Sequence, residues 1–279
     1  MEKYLICSDI DGTLMSNRQE VSQNTLNLIK QLQQQGHLFY VATGRMFLSA
    51  YAVARQISEK TGVIASNGGI YCHEDKLIEH IMDLENSKLT YEIAMKYQLP
   101  LFFFSKDAIY YSLVLPDYFK DENDQGRVDS GQQKSYYEIK SSNDILKYGN
   151  SFLNGIIISD DRLDNLKYAQ EELALVEQLT VTSSYYNNIE ISPKGISKAV
   201  AIKDLQAKHD VPTERTIVFG DGGNDIEMFK MAKISVAMAN AGNAVKEASK
   251  YETKSNNDEG VYYFLKRYFN KEGNEYDRK

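Results

Sequence analysis

Short apolar segments alternate with helical segments at both ends of this 279-residue sequence, and this alternation is what most constrains its fold. Near the N-terminus, the apolar runs at residues 4–7, 37–42 and 62–66 predict strands. Ser22 is the predicted N-cap of the helix after the first strand, and Gly36 marks its predicted end. Such alternation through short links predicts a parallel sheet with helices on both faces, which binds ligands at the carboxyl ends of its strands.

The same alternation returns near the C-terminus. Helices are predicted at residues 196–209 and 225–232, and strands at residues 216–219 and 234–238. The two ends of the chain therefore predict one shared sheet.

The middle of the sequence has a different pattern. Residues 83–188 carry pairs of strand-like runs separated by helical stretches, which predicts a second α/β domain inserted into the first. Within it, residues 121–135 contain a single aliphatic residue and are predicted to form a surface loop. We therefore predict an α/β fold in which residues 1–82 and 189–279 form a Rossmann-like, doubly wound parallel sheet around this insertion.

The charge balance bears on the class of partner. The chain has 32 Lys and Arg residues against 39 Asp and Glu residues, a formal charge of −7, which argues against general binding to nucleic acid or to an anionic membrane. No run approaches the roughly 18 consecutive apolar residues of a membrane-spanning helix. The first residues also lack the apolar core of a signal peptide. We expect a cytoplasmic protein with neither nucleic acid nor membrane as a partner.

Two aspartates follow the first predicted strand. Asp9 and Asp11, in the segment DIDGTL, are two positions apart at a strand end, so both carboxylates can project toward the same side of the sheet. One carboxylate can then attack a substrate while the other transfers a proton. The alternative is an ordinary strand followed by an Asp-Gly turn.

A hydroxyl, a glycine and a guanidinium end the second predicted strand. Thr43, Gly44 and Arg45 together suit a phosphoryl group, because a glycine lets the backbone N–H approach an anion closely. An ordinary turn is the alternative for this segment taken alone. Asn67 follows the third predicted strand in the same way.

A lysine and a second acidic segment come from the C-terminal half. Lys198 lies in the first turn of a predicted helix, which starts at Ser192 or Ser197, and there its charge opposes the helix dipole. That local conflict favours a functional role, and a solvated lysine is the alternative. Asp221 and Asp225, in GDGGND, bring two more carboxylates to a strand end. This acidic turn lacks the spacing of a dinucleotide-binding loop.

So many carboxylates at one sheet edge favour a bound cation. Two carboxylates about 4 Å apart repel each other by roughly 4 kcal/mol at an effective dielectric constant near 20. Mg²⁺ binds oxygen ligands and would convert this repulsive cluster into a site for an anionic substrate. Since the sequence has no His/Cys cluster of the kind that binds zinc, we predict Mg²⁺ as the cofactor.

These four segments, in this order, resemble the four motifs of the haloacid dehalogenase superfamily, and in particular of its Cof-like hydrolase branch. SNGG at residues 66–69, MANA at 238–241, Lys246 and NDEGV at 257–261 extend the resemblance. The sequence departs from the branch at Ala199 and Ala239, where glycine is common, and at Tyr251, near a frequently acidic position. These departures leave every catalytic group in place.

The resemblance implies a role for each candidate residue. Asp9 would be the nucleophile that forms an aspartyl-phosphate, and Asp11 would protonate the leaving alcohol and then activate water. Thr43 and Lys198 complete the implied catalytic residues. The implied phosphate- or substrate-binding residues are Thr43, Gly44, Arg45, Asn67, Lys198 and Asn224. The implied Mg²⁺ ligands are Asp9, the Asp11 carbonyl and Asp221, with Asp225 close by or acting through water.

The implied function is Mg²⁺-dependent hydrolysis of small phosphorylated metabolites, such as sugar phosphates. Residues 83–188 would form the cap domain that determines substrate specificity. Three alternatives stay open: a phosphomutase that uses the same intermediate, a non-catalytic sugar-phosphate sensor, and a signalling module switched by phosphorylation.

Overall fold

The computed structural model describes residues 2–74, 76–115, 135–183 and 185–270, which form two compact units. The first unit comprises the chain up to Arg45, Ala50–Leu77 and the chain from Ser197 onward. The second comprises Met46–Ser49 and Ile78–Ile196.

The strands, in chain order, are β1 (Leu5–Ser8), β2 (Leu38–Ala42), β3 (Gly62–Ala65), β4 (Ile70–His73), β5 (Lys76–Glu79), β6 (Leu101–Phe104), β7 (Ala108–Tyr111), β8 (Ser135–Glu138), β9 (Asn154–Ile158), β10 (Leu179–Thr182), β11 (Asn188–Pro193), β12 (Thr216–Gly220), β13 (Ile234–Ala237) and β14 (Tyr251–Glu252). The α-helices are α1 (Gln23–Gln34), α2 (Phe47–Ile57), α3 (Leu84–Lys96), α4 (Ser142–Tyr148), α5 (Leu163–Leu173), α6 (Lys198–His209), α7 (Ile226–Met231), α8 (Asn243–Ala248) and α9 (Gly260–Phe269). Short 3₁₀ helices cover Ser66–Gly68, Gly149–Ser151, Thr213–Arg215, Gly223–Asp225 and Asn256–Asp258.

An eight-stranded sheet has the order β14-β13-β12-β1-β2-β3-β4-β5. The strands from β14 to β3 are parallel, and β4 pairs with β3 in the antiparallel direction. Every residue of β1 and β12 is buried, as expected for central strands that are covered on both faces. The predicted Rossmann-like α/β core is confirmed.

The first helix starts and ends where the sequence predicts. The Ser22 hydroxyl accepts a hydrogen bond from the Thr25 N–H, which caps α1, and Gly36 has φ +92° just beyond its end. None of the described helices is long and apolar enough to cross a bilayer.

The second unit has its own six-stranded sheet, in the order β10-β11-β9-β6-β7-β8. Its strands pair in the antiparallel direction except for β7 and β8, which are parallel. Its own apolar core includes Phe103 and Phe152, whose rings stack with centroids 4.4 Å apart. Of the predicted surface loop, residues 121–134 lie outside the described residues, and Ser135 is the first residue of β8.

The second unit extends beyond the predicted boundaries of the insertion. Residues 189–196, predicted as part of the core, belong to the second unit, in which β11 pairs with β9 and β10. At the other boundary it begins at Ile78. The assignment of this unit as a specificity domain stays a prediction.

Candidate active site

The candidate site is built at the carboxyl ends of four neighbouring parallel strands. Asp9 follows β1, Thr43 follows β2, Asn67 lies two residues after β3, and Asp221 follows β12. The Asp9 N–H continues the ladder by donating to the Phe219 carbonyl at 3.0 Å. Parallel strands therefore bring these side chains to one edge of the sheet.

Lys198 lies at the centre of the cluster. Ser197 caps α6 by accepting a hydrogen bond from Val200, so Lys198 is the first residue of that helix. The Lys198 side chain is buried, and its Nζ donates to Asp9 Oδ1 at 2.6 Å and to Asp225 Oδ1 at 2.7 Å. The alternative of a solvated lysine is therefore wrong.

A glycine allows this helix to begin where it does. Gly68 has φ +96°, in the region that favours glycine. A Cβ atom at this position would lie 2.2 Å from the backbone oxygen of Ser197. The segment after β3 therefore packs directly against the start of α6, next to Lys198.

Asp225 binds Lys198 and also orders the turn after β12. Its Oδ2 accepts hydrogen bonds from the N–H groups of Asp221 and Gly222, both at 3.0 Å, while Oδ1 accepts from Lys198. Gly220 leaves the necessary space, since a Cβ there would lie 2.4 Å from Asp225 Cγ. Both oxygens of this buried carboxylate are thus engaged by the protein itself.

Asp221 is held from two loops. The Thr13 hydroxyl donates to its Oδ1 at 2.6 Å, and Asn240 Nδ2 lies 3.4 Å from its Oδ2. Gly12 has φ +73°, and a Cβ there would lie 2.3 Å from Asp221 Oδ2. Thr13 and Asn240 lie in the motif segments DIDGTL and MANA, but no role for either residue follows from the sequence alone.

Three carboxylates lie close enough together to hold a cation. Asp9, Asp221 and Asp225 each offer an oxygen, and these atoms lie within 4.8 Å of one another. Lys198 compensates only one of the three formal negative charges. An all-oxygen set with excess negative charge fits a hard divalent cation such as Mg²⁺.

Burial and neighbouring charges shift the pKa values of this cluster. Burial raises the pKa of Asp9 to about 7, against the opposing charge of Lys198 and with a contribution from Asp225. Burial also raises the pKa of Asp221, although the Thr13 hydrogen bond opposes the shift. For Lys198, burial favours the neutral form, but Asp9 and Asp225 outweigh it and hold the pKa of its ammonium above the usual range. The ammonium therefore stays charged.

Arg45 contacts the second aspartate of the first motif. Its Nε donates to Asp11 Oδ2 at 2.7 Å, and its Nη2 donates to Asp11 Oδ1 at 2.5 Å and to Gln19 Oε1 at 2.8 Å. The motif resemblance implied a substrate contact for Arg45, whereas this ion pair was not predicted.

The remaining predicted residues lie together at the ends of β2, β3 and β12. The Thr43 hydroxyl accepts a hydrogen bond from the Arg45 N–H at 3.1 Å, and the Asn67 N–H donates to the Thr43 carbonyl at 3.0 Å. Asn67 has φ 52°, and its Oδ1 accepts from Asn224 Nδ2 at 3.0 Å. A Cβ at Gly44 would lie 3.2 Å from Asn67 Oδ1. All the predicted site residues belong to the first unit.

Comparisons with known proteins agree with this arrangement. The sequence model of the haloacid dehalogenase-like hydrolase family matches residues 6–265. The chain is 26% identical to the 5-amino-6-(5-phospho-D-ribitylamino)uracil phosphatase YitU of Bacillus subtilis (strain 168), over 95% of this chain and 97% of that protein. It is 28% identical to the phosphatase of the same description, YbjI, of Escherichia coli (strain K12), over 94% of each chain.

Solved structures show the same fold. The crystal structure of a haloacid dehalogenase-like hydrolase from Bacteroides thetaiotaomicron matches with a TM-score of 0.81 at 25% identity, covering 96% of this chain and 100% of that chain. The resemblance stated from the motifs is thus confirmed. Because the family match spans nearly the whole chain and curated relatives are named phosphatases, the chain belongs to the haloacid dehalogenase-like hydrolase family and is a phosphatase of that family.

Proposed function

We propose that the protein is a Mg²⁺-dependent phosphatase that hydrolyses small phosphorylated metabolites through an aspartyl-phosphate on Asp9. The observation that carries the proposal is the buried ammonium of Lys198, which contacts both Asp9 and Asp225. A fixed positive charge beside a buried carboxylate is suited to bringing that carboxylate close to an anionic phosphoryl group.

The side chains of Asp9 and Asp221, with the backbone carbonyl of Asp11, would hold Mg²⁺. An Asp225 oxygen also lies within 4.8 Å of the candidate ligand atoms of Asp9 and Asp221. However, the two Asp225 oxygens already accept three hydrogen bonds from the protein. We therefore assign Asp225 chiefly to holding Lys198 and the turn after β12. When bound, Mg²⁺ supplies positive charge that offsets the charge of the phosphoryl oxygens.

In the first half-reaction, a carboxylate oxygen of Asp9 attacks phosphorus, and the bond between phosphorus and the substrate oxygen breaks. Asp11 donates a proton to that oxygen, so the product leaves as an alcohol. The backbone N–H of Gly44 and the side chains of Thr43, Lys198 and Asn224 would bind the phosphoryl oxygens.

In the second half-reaction, Asp11 takes a proton from water as the water attacks phosphorus. The bond between phosphorus and Asp9 breaks, inorganic phosphate leaves, and both carboxyl groups return to their starting states. The Arg45 pair engages both oxygens of the ionised Asp11 and would orient it as the base of this second half-reaction, whereas in the first half-reaction the protonated Asp11 would have to leave this bidentate pair. We assign Arg45 and Asn67 to contacts at the edge of the phosphate site.

The second unit, including residues 83–188, would select the substrate as a cap domain. Its separate sheet and core support treating it as an independent module. YitU and YbjI are named for a phosphate of a ribitylaminouracil, which joins a sugar-alcohol phosphate to a heteroaromatic ring. We propose sugar phosphates and related phosphomonoesters, including that compound, as the substrate class.

A screen of phosphorylated metabolites tests the proposal. Wild type should release inorganic phosphate with Mg²⁺, lose activity with a chelator, and yield only dephosphorylated product. Acid quenching followed by peptide mass spectrometry should detect one added phosphoryl group on the peptide that contains Asp9. A phosphorylated isomer without free phosphate would indicate a mutase, and wild-type turnover by Asp9→Asn would refute the assigned nucleophile.

A further inference from the structure

Asn240 bridges two parts of the candidate metal site, although neither the motif roles nor the proposed mechanism uses it. Its Nδ2 donates to the Gly12 carbonyl at 2.8 Å and lies 3.4 Å from Asp221 Oδ2. We propose that Asn240 is a positioning residue that holds Asp221 and the loop after β1 in the geometry that binds the divalent cation. This inference rests on the proposed function, in which Asp221 is a metal ligand.

The hydrogen-bond partners fix the orientation of the Asn240 carboxamide. Its Oδ1 accepts from the backbone N–H of Asn256 at 3.1 Å, and a backbone N–H can only donate. Its Nδ2 faces the Gly12 carbonyl and the Asp221 carboxylate, which only accept. A flipped amide would lose these contacts, so the side chain has one satisfied arrangement.

Asp221 has little freedom to rotate away from this arrangement. The Thr13 hydroxyl holds Oδ1 at 2.6 Å, while Asn240 approaches Oδ2 from the other side. Because Gly12 has no Cβ, its backbone can lie close to the same carboxylate. The two donors therefore fix the orientation of the Asp221 carboxylate. A carboxylate with a fixed orientation binds a cation at a lower entropic cost.

A second asparagine anchors Asn240 to the far end of the same loop. Asn256 is buried, and its Nδ2 donates to the Met15 carbonyl and to Asn17 Oδ1, both at 3.0 Å. Its backbone N–H holds Asn240. Asn240 and Asn256 thus fasten the loop at Gly12 and again at Met15, and this loop begins at the proposed ligands Asp9 and Asp11.

The experiment measures Mn²⁺ binding to the full-length protein without substrate, by the electron paramagnetic resonance signal of free Mn²⁺. Asn240→Ala should weaken Mn²⁺ binding about 10-fold to 100-fold, as is typical when a group that orients a metal ligand is removed. At saturating metal, KM for a phosphorylated substrate should stay unchanged. Asn243→Ala is the matched control, because Asn243 is an exposed asparagine three positions away whose side chain forms no hydrogen bond within the described part of the chain.

A second variant separates positioning from a general loss of structure. Thr13→Val removes the other donor to Asp221 while keeping the side-chain shape. Since both donors act on one carboxylate, the effects of Thr13→Val and Asn240→Ala on Mn²⁺ binding should be coupled in the double variant. Independent effects would overturn the proposal.

Asp221→Asn distinguishes failure of this inference from failure of the proposed function. If Asp221→Asn loses Mn²⁺ binding while Asn240→Ala binds like wild type, the role of Asn240 is refuted and the metal site stands. If wild type and Asp221→Asn bind Mn²⁺ with equal affinity, the assigned metal site is refuted, and the proposed role of Asn240 is refuted as well.

Discussion

Lys198 and Asp9 form a buried ion pair across 189 positions of sequence, with 2.6 Å between Nζ and Oδ1. The same ammonium contacts Asp225, so one lysine joins the first residue after β1 to the turn after β12. Lys198 therefore links two distant parts of the first unit, in addition to the catalytic role proposed for it.

Lys198→Met should destabilise the protein and lower turnover, because it leaves Asp9 and Asp225 buried without a counter-charge. Removing one partner of a buried ion pair costs about 3–5 kcal/mol of unfolding free energy. Lys208→Met is the control on the same helix, since Lys208 pairs with the partly exposed Asp204 and its loss should cost about 0–1 kcal/mol. Urea unfolding in the presence of a chelator measures the unfolding free energy of both variants. Equal losses of unfolding free energy would contradict the role of the buried pair.

Asp9→Asn and Asp11→Asn should fail in different ways. Asp9→Asn should abolish turnover of every substrate, because an amide is not a nucleophile toward phosphorus. Asp11→Asn loses proton transfer to the leaving group, which typically costs about 10²–10⁴-fold. The rates should be compared on an alkyl phosphate and on 4-nitrophenyl phosphate, whose leaving group needs no proton. Rescue of Asp11→Asn alone is expected, and equal rescue of both variants would contradict the assigned roles.

Gly68→Ala should reduce activity far more than Gly36→Ala. Both glycines have positive φ, +96° and +92°, so alanine adds left-handed strain of about 1–2 kcal/mol at each position. Only at Gly68 would the new Cβ strike the Ser197 backbone oxygen, which displaces the start of α6 and Lys198. At Gly36, no atom of the described residues other than those of its chain neighbours lies within 4 Å of the corresponding position. Steady-state kinetics and thermal unfolding of the two variants test this, and equal kinetics would exclude the proposed displacement.

His209 should make the protein less stable as the pH falls. Burial, with His73 and Lys3 nearby, lowers the pKa of His209 below its usual 6.5, and Glu74 only partly opposes this. The unfolded chain then binds the proton more tightly, so the unfolding free energy decreases as the pH falls through 6.5 toward the lower folded-state pKa.

A glutamine variant isolates this effect. His209 Nε2 lies 2.8 Å from the Tyr40 hydroxyl oxygen. The centroids of the His73 and His209 rings are 4.9 Å apart. His209→Gln keeps a hydrogen-bonding group and cannot titrate, so its melting temperature should vary less between about pH 7.5 and pH 5.5. An identical pH dependence in wild type and variant would remove His209 as the cause.

Exchanging Ile78–Ile196, the main segment of the second unit, for that of a relative with another substrate preference should change the substrate profile. The proposed catalytic residues all lie in the first unit, so the chimaera should still depend on Asp9. Activity of wild type, chimaera and chimaera with Asp9→Asn on one metabolite panel provides the measurement. A profile that stays with the first unit would refute the assigned division of labour.

The sequence predicted the central strands of the first sheet and their polar ends because local information is sufficient there. The apolar run before Asp9 and the helix cap at Ser22 are visible in a few consecutive residues. The ion pair of Arg45 with Asp11 depends on the packing of two loops, so no local pattern predicts it. The same holds for Asn240, which is 228 positions from Gly12.

The boundary of the second unit shows the same limit. Residues 189–193 alternate like many strands, and only their pairing with β9 and β10 assigns them to the second sheet. Tyr110 gives another example, because the local sequence does not show whether its ring is exposed or buried. In the structure it is buried in the core of the second unit, where its ring lies 5.3 Å from that of Tyr137.

The position of β1 between β2 and β12 has a consequence for synthesis of the chain. The ribosome makes β2 soon after β1, whereas it makes β12 only after the whole second unit. Pairing β1 with β12 closes a long loop, and such non-local pairing is slow compared with local contacts. Asp9 therefore meets neither Lys198 nor Asp221 on a ribosome-bound chain until the segments that carry them have emerged, so a nascent or truncated chain carries an incomplete candidate site.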